Sequence, residues 1–529
     1  MPKRKKAILL AEKPHAQSRE RAKTLGRSRA IQQRKVVSRS WCFAGAGLIV
    51  GFLYLTHFVY CQHSVLPYFD AAFTDSDMHA NLQWAESIRA QGWLNPNPFH
   101  PYNSWMRNIA PPAEWVQWWG GEQVFQQSPL YAYLLSVFLH QLFAMRILQA
   151  IMAIGTCGFI GLLSAHFGRT VGWTAFWLAA FYAPFYVYSW PFLRDGLGLF
   201  ITAALLWALT ELTFSDWPSR RSQRFGWLVG ILLGLGFLTR ETYMLLIPVV
   251  WSTLIWLSWK RRHWSTTIHV VIATVLVISP LVIRNCRVHA PLLSSSNRFA
   301  EGFIVGNAGS AAPDTFVIPR ETGEIFRDTG GKSLAVIRET IASHPSGIWG
   351  WMWLQILKIA SLCDPYEIPD NLSFYFVAGI SPVVGLGLSY WMILVPGLAG
   401  LFLSIRKREH AHLWLWIAFP IILSSALVSV TVSRYRQALM LFLIPWAAYF
   451  LTAFVASIRR HELRNAFSFG APLVLGYALV LGPLSQHPRN RYERPAEYIV
   501  AAQIYHKLGE EQKSQAMMLL AREKYLGPH

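Results

Sequence analysis

The chain has 529 residues, of which 53% are hydrophobic and only 14% charged, against roughly 25% charged in a soluble globular protein. Soluble domains of this total length would lack the Lys, Glu and Asp to wet their surfaces, and 24 Trp with 32 Phe would have no interior large enough to hold them. The net charge of +20 sits in short Lys/Arg clusters between apolar runs, the pattern of membrane-protein loops rather than of a nucleic-acid-binding face.

In chain order, residues 1–40 carry thirteen Lys or Arg against two Glu, which predicts a disordered cytoplasmic tail. An uncleaved first span follows from Trp41 to Cys61, about twenty residues and so long enough to cross the hydrocarbon core. Further apolar runs are Ile147 to Phe167, Val171 to Trp190, Asp195 to Leu212, Gly226 to Thr239, Thr242 to Leu257, Thr266 to Ile283, Val384 to Ser404, His412 to Val432, Gln437 to Ser457 and Phe467 to Pro483. The expectation is an all-α polytopic membrane protein with about eleven transmembrane helices, within a range of roughly ten to thirteen. Threading them alternately places Arg169 and the basic trios near residues 220, 260, 406 and 460 on the cytoplasmic side, in agreement with the positive-inside rule. Two apolar stretches, Ser128 to Phe143 and Trp349 to Cys363, would upset that agreement as single crossings and are read as interfacial helices.

This threading leaves a first outer loop at 62–146 and a second at 284–383 within a membrane domain at 41–485, followed by an outer tail at 486–529. Loops of that length are usually functional. The first opens on Asp75-Ser76-Asp77-Met78-His79, with a helix read from near Ser76. A carboxylate at such a helix start, just above the bilayer, is placed to accept a proton from a hydroxyl substrate; Asp75 or Asp77 reads equally as a plain N-cap. Arg194, Arg240, Arg284, Arg434 and Arg436 stand at the outer helix ends, where short loops should be poor in Arg. Ionisable groups at a membrane boundary are costly, and Arg offers bidentate donors to phosphate oxygens, so the cluster suits a lipid-linked phosphate.

Other signals are weaker. Gly330-Gly331-Lys332-Ser333 lacks the first Gly of a phosphate loop, since Phe326 stands there, and Asn371-Leu372-Ser373 fits an N-glycosylation pattern. Five Cys show no CxxC pair, a disulfide among Cys61, Cys286 and Cys363 stays open, no metal ligand set is assigned, and a divalent cation is left open.

The order of these features resembles the membrane-embedded GT-C glycosyltransferases that use polyprenyl-phosphate sugars, in the branch of the bacterial relatives of protein O-mannosyltransferases and aminoarabinose transferases. The resemblance rests on Asp77, Ala85 and Gln91-Gly92-Trp93-Leu94 in the first loop and on Gln127-Ser128-Pro129-Leu130-Tyr131. It extends to Leu238-Thr239-Arg240, Ile283-Arg284-Asn285, Glu367-Ile368-Pro369-Asp370-Asn371 and Arg434-Tyr435-Arg436. The sequence departs from that pattern at Met78, where relatives often carry Glu, at Ser128 in place of Pro, and at Glu241 in place of Pro. The tail from Ala496 to Pro528 reads as two short helices spaced like one tetratricopeptide unit, which docks on the membrane domain or meets a partner.

The resemblance implies a GT-C-like fold and an inverting glycosyltransferase at the outer face of a bacterial inner membrane, with the N-terminus cytoplasmic and the C-terminus periplasmic. Its substrates would be a polyprenyl-phosphate sugar and a glycan, lipid or protein acceptor. Asp77 is the expected base with Asp75 as second candidate. Arg434, Arg436, Arg240 and Arg284 would bind the donor phosphate, and His79, Arg194 and Tyr131 would position substrate. The alternative is a transporter or flippase of a phosphate-bearing lipid or glycan.

Overall fold

The computed structural model describes residues 45–485 and 494–526, so the basic tail at 1–40 and Pro528 lie outside the described residues. The chain divides into two units, Met1–Leu53 and Tyr54–His529, and the architecture below is that of the second. Among the described residues the structure is helical, with no strand beyond a single parallel bridge between Tyr182 and Leu388. It is an all-α membrane protein.

Seven helices are long and apolar enough to cross a bilayer: Gly45–Gln62, Leu142–Phe167, Asp195–Phe214, Tyr243–Arg261, Ser265–Arg287, His410–Val428 and Ser433–Arg459. The remaining predicted runs are also helical, as Arg169–Ala180, Arg220–Phe237, Tyr390–Lys407 and Leu463–Leu481. Arg169–Ala180 stops early and the chain resumes in the short helix Ala183–Val187, so the predicted run to Trp190 is broken rather than continuous. The 128–143 stretch forms only Leu130–Val137, eight residues, or about 12 Å of helix. Ile348–Leu362 has fifteen residues and reaches about 22 Å. Both fall short of the roughly 30 Å hydrocarbon core.

Close packing follows from residue size. Gly226, Gly230 and Gly234 repeat at every fourth position along one face of Arg220–Phe237, and a Cβ on Gly230 would stand 2.3 Å from the carbonyl oxygen of Val270. The Ser265–Arg287 backbone therefore lies almost directly on that glycine face, the small-residue contact favoured where burial from water gives no driving force.

One polar residue ties the loop region to the bundle. Lys358, on the buried side of Ile348–Leu362, donates to the carbonyl oxygens of Gly306 (2.9 Å), Ser429 (2.5 Å) and Leu427. The first of these ends the Phe299–Asn307 helix and the others end Leu413–Val428, so one ammonium caps two helix C-termini whose carbonyls have no intrahelical partner. Lys358→Met is expected to lower stability by at least about 3 kcal/mol, because it strands three buried acceptors; thermal unfolding in detergent checks this.

The Pro495–Lys507 and Glu511–Leu526 helices pair with each other, and the first also packs on Phe69–Ala72. Tyr498 meets Phe376 edge-on with ring centroids 5.2 Å apart. Cys61, Cys157, Cys286 and Cys363 are free thiols.

Candidate active site

The helix predicted near Ser76 begins at Asp77 and runs to Gln91. Its N-cap is Ser76, whose hydroxyl accepts from the His79 N–H at 3.2 Å. Neither Asp75 nor Asp77 caps it, correcting the plain N-cap reading. Asp75 is exposed and accepts from the Ser104 N–H, away from the arginines. Asp77, relieved of capping, turns its carboxylate into a polar junction where 17% of its side chain remains exposed.

Asp77 Oδ2 lies 2.8 Å from Arg434 Nη1, and Oδ1 lies 3.3 Å from Arg298 Nη1 and 3.5 Å from Gln127 Nε2. Asn371 brackets the residue, accepting from the Asp77 N–H at 2.6 Å and donating to Oδ2 at 3.4 Å. Asn371, read from sequence as a glycosylation pattern, is thus committed to Asp77. Burial favours the protonated carboxyl, but the guanidinium charges of Arg298 and Arg434, with Arg194 further off, outweigh it and hold Asp77 well below the usual carboxylate range.

Arg434 is the hub. Besides Asp77 it reaches Asp370 Oδ2 at 3.2 Å and Asp195 Oδ2 at 3.4 Å, and its own side chain is 2% exposed. Asp195 in turn pairs with Arg240. Beside them Arg194 binds Glu241 at 2.7 Å, and Glu241 accepts weakly from Ser128. Glu241 therefore neutralises Arg194, and despite burial that charge brings its carboxyl down to about 2. Arg298 also contacts Glu301 at 3.5 Å, whose carboxyl burial pushes up.

Four arginines from separate segments, Arg194, Arg240, Arg298 and Arg434, thus meet four firmly paired carboxylates, Asp77, Asp195, Asp370 and Glu241, with Glu301 behind them. Among the described residues no three His, Cys, Asp or Glu side chains form a group able to hold a metal ion.

Other predicted site residues lie elsewhere. Arg284 spends its donors on the carbonyls of Gln123 (2.6 Å), Asn95 (2.8 Å) and Leu94 (2.9 Å) and stacks over Phe125. Arg436 is consumed by the carbonyls of Ser361 (2.5 Å), Tyr366 (2.7 Å) and Asp364 (3.0 Å). Buried carbonyls need partners, and these two arginines supply them in place of contacting the Asp77 junction. Tyr131 is buried with its hydroxyl on Gln149 at 2.5 Å. His79 keeps a buried Nδ1 without a partner.

The C-terminal helices touch this junction. Arg494 Nη2 donates to the Asp370 carbonyl oxygen at 2.8 Å while Glu497 holds the same guanidinium. It thereby fixes the residue whose carboxylate pairs with Arg434. Arg494→Met is expected to lower turnover about tenfold or more through misplaced Asp370, with membrane abundance unchanged; quantitative immunoblotting beside an activity assay separates the two.

Residues 126–283, just under a third of the chain, match the family model described as dolichyl-phosphate-mannose-protein mannosyltransferase. The matched segment holds Gln127 to Tyr131, Arg194 and Arg240, so the resemblance to GT-C glycosyltransferases read from the motifs is met there. Solved structures with partial likeness include ArnT from Cupriavidus metallidurans bound to undecaprenyl phosphate, at 13% identity and a TM-score of 0.43 over 92% of this chain and 75% of that one. Another is the archaeal oligosaccharyltransferase AglB from Archaeoglobus fulgidus, in complex with an inhibitory peptide and a dolichol-phosphate. It shows 14% identity and a TM-score of 0.41 over 88% of this chain, which spans 56% of that one. No curated protein matches the chain.

Proposed function

We propose that the protein is an inverting glycosyltransferase of the membrane, moving a sugar from a polyprenyl-phosphate donor to an acceptor hydroxyl at the outer face, in a bacterial inner membrane with the N-terminus cytoplasmic and the C-terminus periplasmic. The observation that carries this reading is the partly exposed Asp77 carboxylate, held at a helix start by Arg434 and Arg298 among further arginines.

In the reaction Asp77 takes the proton of the acceptor hydroxyl as that oxygen forms a bond to the anomeric carbon. The bond from that carbon to the phosphate oxygen breaks on the opposite face, and its electron pair leaves with the phosphate. A phosphodiester monoanion becomes a phosphomonoester able to carry two negative charges, and fixed guanidinium donors stabilise the growing charge more than the ground state.

Each of the four arginines is paired with a carboxylate. Donor phosphate therefore binds by exchange, drawing Arg434 and Arg298 partly off Asp77. That exchange restores basicity to a carboxylate the arginines otherwise keep weakly basic. The base becomes effective only once the donor is seated.

Mass-spectrometric comparison of surface glycans and glycosylated lipids from the native host, carrying wild type or Asp77→Asn at equal membrane abundance, tests the reading. One glycan species is expected to disappear. An unchanged profile would overturn Asp77 as the base, and is what a transporter would give.

A further inference from the structure

The segment between the Ile348–Leu362 and Phe374–Ile380 helices is irregular, yet it is pinned along its length. Arg436 donates to the carbonyls of Asp364 and Tyr366, the Ser433 N–H to that of Ile368 at 3.1 Å, and Arg494 to that of Asp370. Glu367 accepts from the Tyr390 N–H at 3.1 Å and from the Ser433 hydroxyl at 2.6 Å. Asn371 closes this pinned run and is 8% exposed, so it meets Asp77 as a fixed group.

Its contacts settle which way the amide faces. The Asp77 N–H lies at a helix start, where backbone donors have no intrahelical acceptor, and only the amide oxygen can accept from it, at 2.6 Å. The amide nitrogen is therefore the atom turned to the carboxylates. That nitrogen lies 3.4 Å from Asp77 Oδ2 and 3.1 Å from Asp370 Oδ2. Arg434 Nη1 bridges the same two oxygens, at 2.8 Å and 3.2 Å. One charged and one neutral donor thus share a single pair of carboxylate oxygens.

We infer that Asn371 is a positioning residue for the base: it keeps the Asp77 carboxylate aimed, and bridged to Asp370, while Arg434 turns to the donor phosphate. The inference rests on the glycosyltransferase reading and on the exchange described above. An amide carries no charge to offer a phosphate, so it stays on the carboxylates when the guanidinium is drawn away. Without it, the two oxygens would face each other unbridged at the moment the base acts, and a misdirected carboxylate slows proton transfer.

Asn371→Leu and Asn371→Asp, made in the full-length protein and compared at equal membrane abundance, test this. Activity is the rate at which native-host membranes form the glycan species that Asp77→Asn abolishes. Donor-site binding is displacement of a fluorescent undecaprenyl phosphate by the unlabelled lipid. Asn371→Leu is expected to form product at least about tenfold more slowly at every pH, while binding the lipid no more weakly than wild type.

Asn371→Asp keeps the side-chain shape and the oxygen that meets the Asp77 N–H, but replaces the donor by a carboxylate. The charged groups facing that position are Asp77 and Asp370, with Arg434 between them, Arg298 on the other oxygen of Asp77 and Arg494 on the Asp370 carbonyl. The arginines keep Asp77 ionised, so crowding of like charges puts the proton on the introduced carboxyl. Protonated, that group donates as the amide did. Relative to wild type, Asn371→Asp is therefore expected to be slow at about pH 8 and to recover severalfold on acidification to about pH 5.5.

Asn371→Leu at the wild-type rate would overturn the inference, as would lipid binding weakened in step with turnover, which would make Asn371 a donor contact. A pH profile of Asn371→Asp parallel to that of wild type would also overturn it, because a space-filling role has no proton to lose. If Asn371→Leu fails to fold, the near-isosteric Asn371→Asp carries the test. An unchanged glycan profile in Asp77→Asn would sink the functional reading itself. Loss of the species in Asp77→Asn, with both Asn371 variants at full rate, would sink only this assignment.

Discussion

The Asp77→Asn variant is expected to turn over about 10²–10⁴-fold more slowly than wild type, the range a general base supplies, yet to bind bare undecaprenyl phosphate several-fold more tightly. The two effects have one origin. Asp77 occupies Arg434 Nη1 and Arg298 Nη1, so the carboxylate competes with donor phosphate for the same guanidinium groups. Neutralising it removes the proton acceptor and the competitor together. Displacement of a fluorescent lipid phosphate, run beside an activity assay, reads both. A slow variant with weakened lipid binding would contradict the exchange model.

The same pairing fixes a pH dependence. Asp77 is held below the ordinary carboxylate range by Arg298 and Arg434, while its unfolded value is about 3.9. A depressed folded value contributes stability that is present above about pH 4 and lost as pH falls through the folded value. In kcat/KM, which reports the free enzyme, an acid limb due to Asp77 therefore lies below about pH 4. Arg298→Gln removes the first-named of the two opposing charges and lets burial act more freely, so the limb is expected to move upward. Arg434→Lys keeps the charge of the hub but has one point of contact for Asp77, Asp195 and Asp370 together, so it should restore little activity.

Arg146→Met is expected to cost about 3–5 kcal/mol, because it leaves a buried carboxylate without its counter-charge. Arg146 meets Asp70 at 2.9 Å with side chains 6% and 3% exposed, and its guanidinium lies over the Trp190 and Phe192 rings. The other oxygen of Asp70 accepts from the Phe192 N–H at 2.8 Å. Through that bond the pair secures the segment leading into Arg194 and Asp195. Activity should therefore fall even at temperatures where the variant remains folded. Burial already raises the Asp70 carboxyl, and without Arg146 it rises further. In the variant, stability is present below the unfolded value and is lost as pH rises through the raised folded one. The deficit relative to wild type should therefore shrink on acidification, as thermal unfolding at pH 5 and pH 8 would show.

Hydropathy made the helical class and the apolar runs legible, because a bilayer demands long apolar segments and leaves few alternatives. It also marked Arg194, Arg240 and Arg434, which break the expected charge bias at helix ends. It could not separate them from Arg284 and Arg436, which break the same bias but point at loop carbonyls, since a sequence position does not give the direction of a guanidinium. Arg298 gave no signal, lying in a mixed loop away from any hydropathy boundary. Asp370 and Asn371 were noticed as a recurrent string, but their role depends on a fold-back that brings residue 371 beside residue 77. The break after Ala180 was missed because composition stays apolar through Trp190 while the chain turns.

The Arg494 bond to Asp370 also bears on biosynthesis. Each crossing helix named above leaves the ribosome before Arg494 does, so a nascent or prematurely terminated chain can be inserted and packed while its Asp370 carbonyl still lacks that clamp. The carbonyl of Asp370 thus gains its clamp only after the segments that carry Asp77 and Arg434 have already been made.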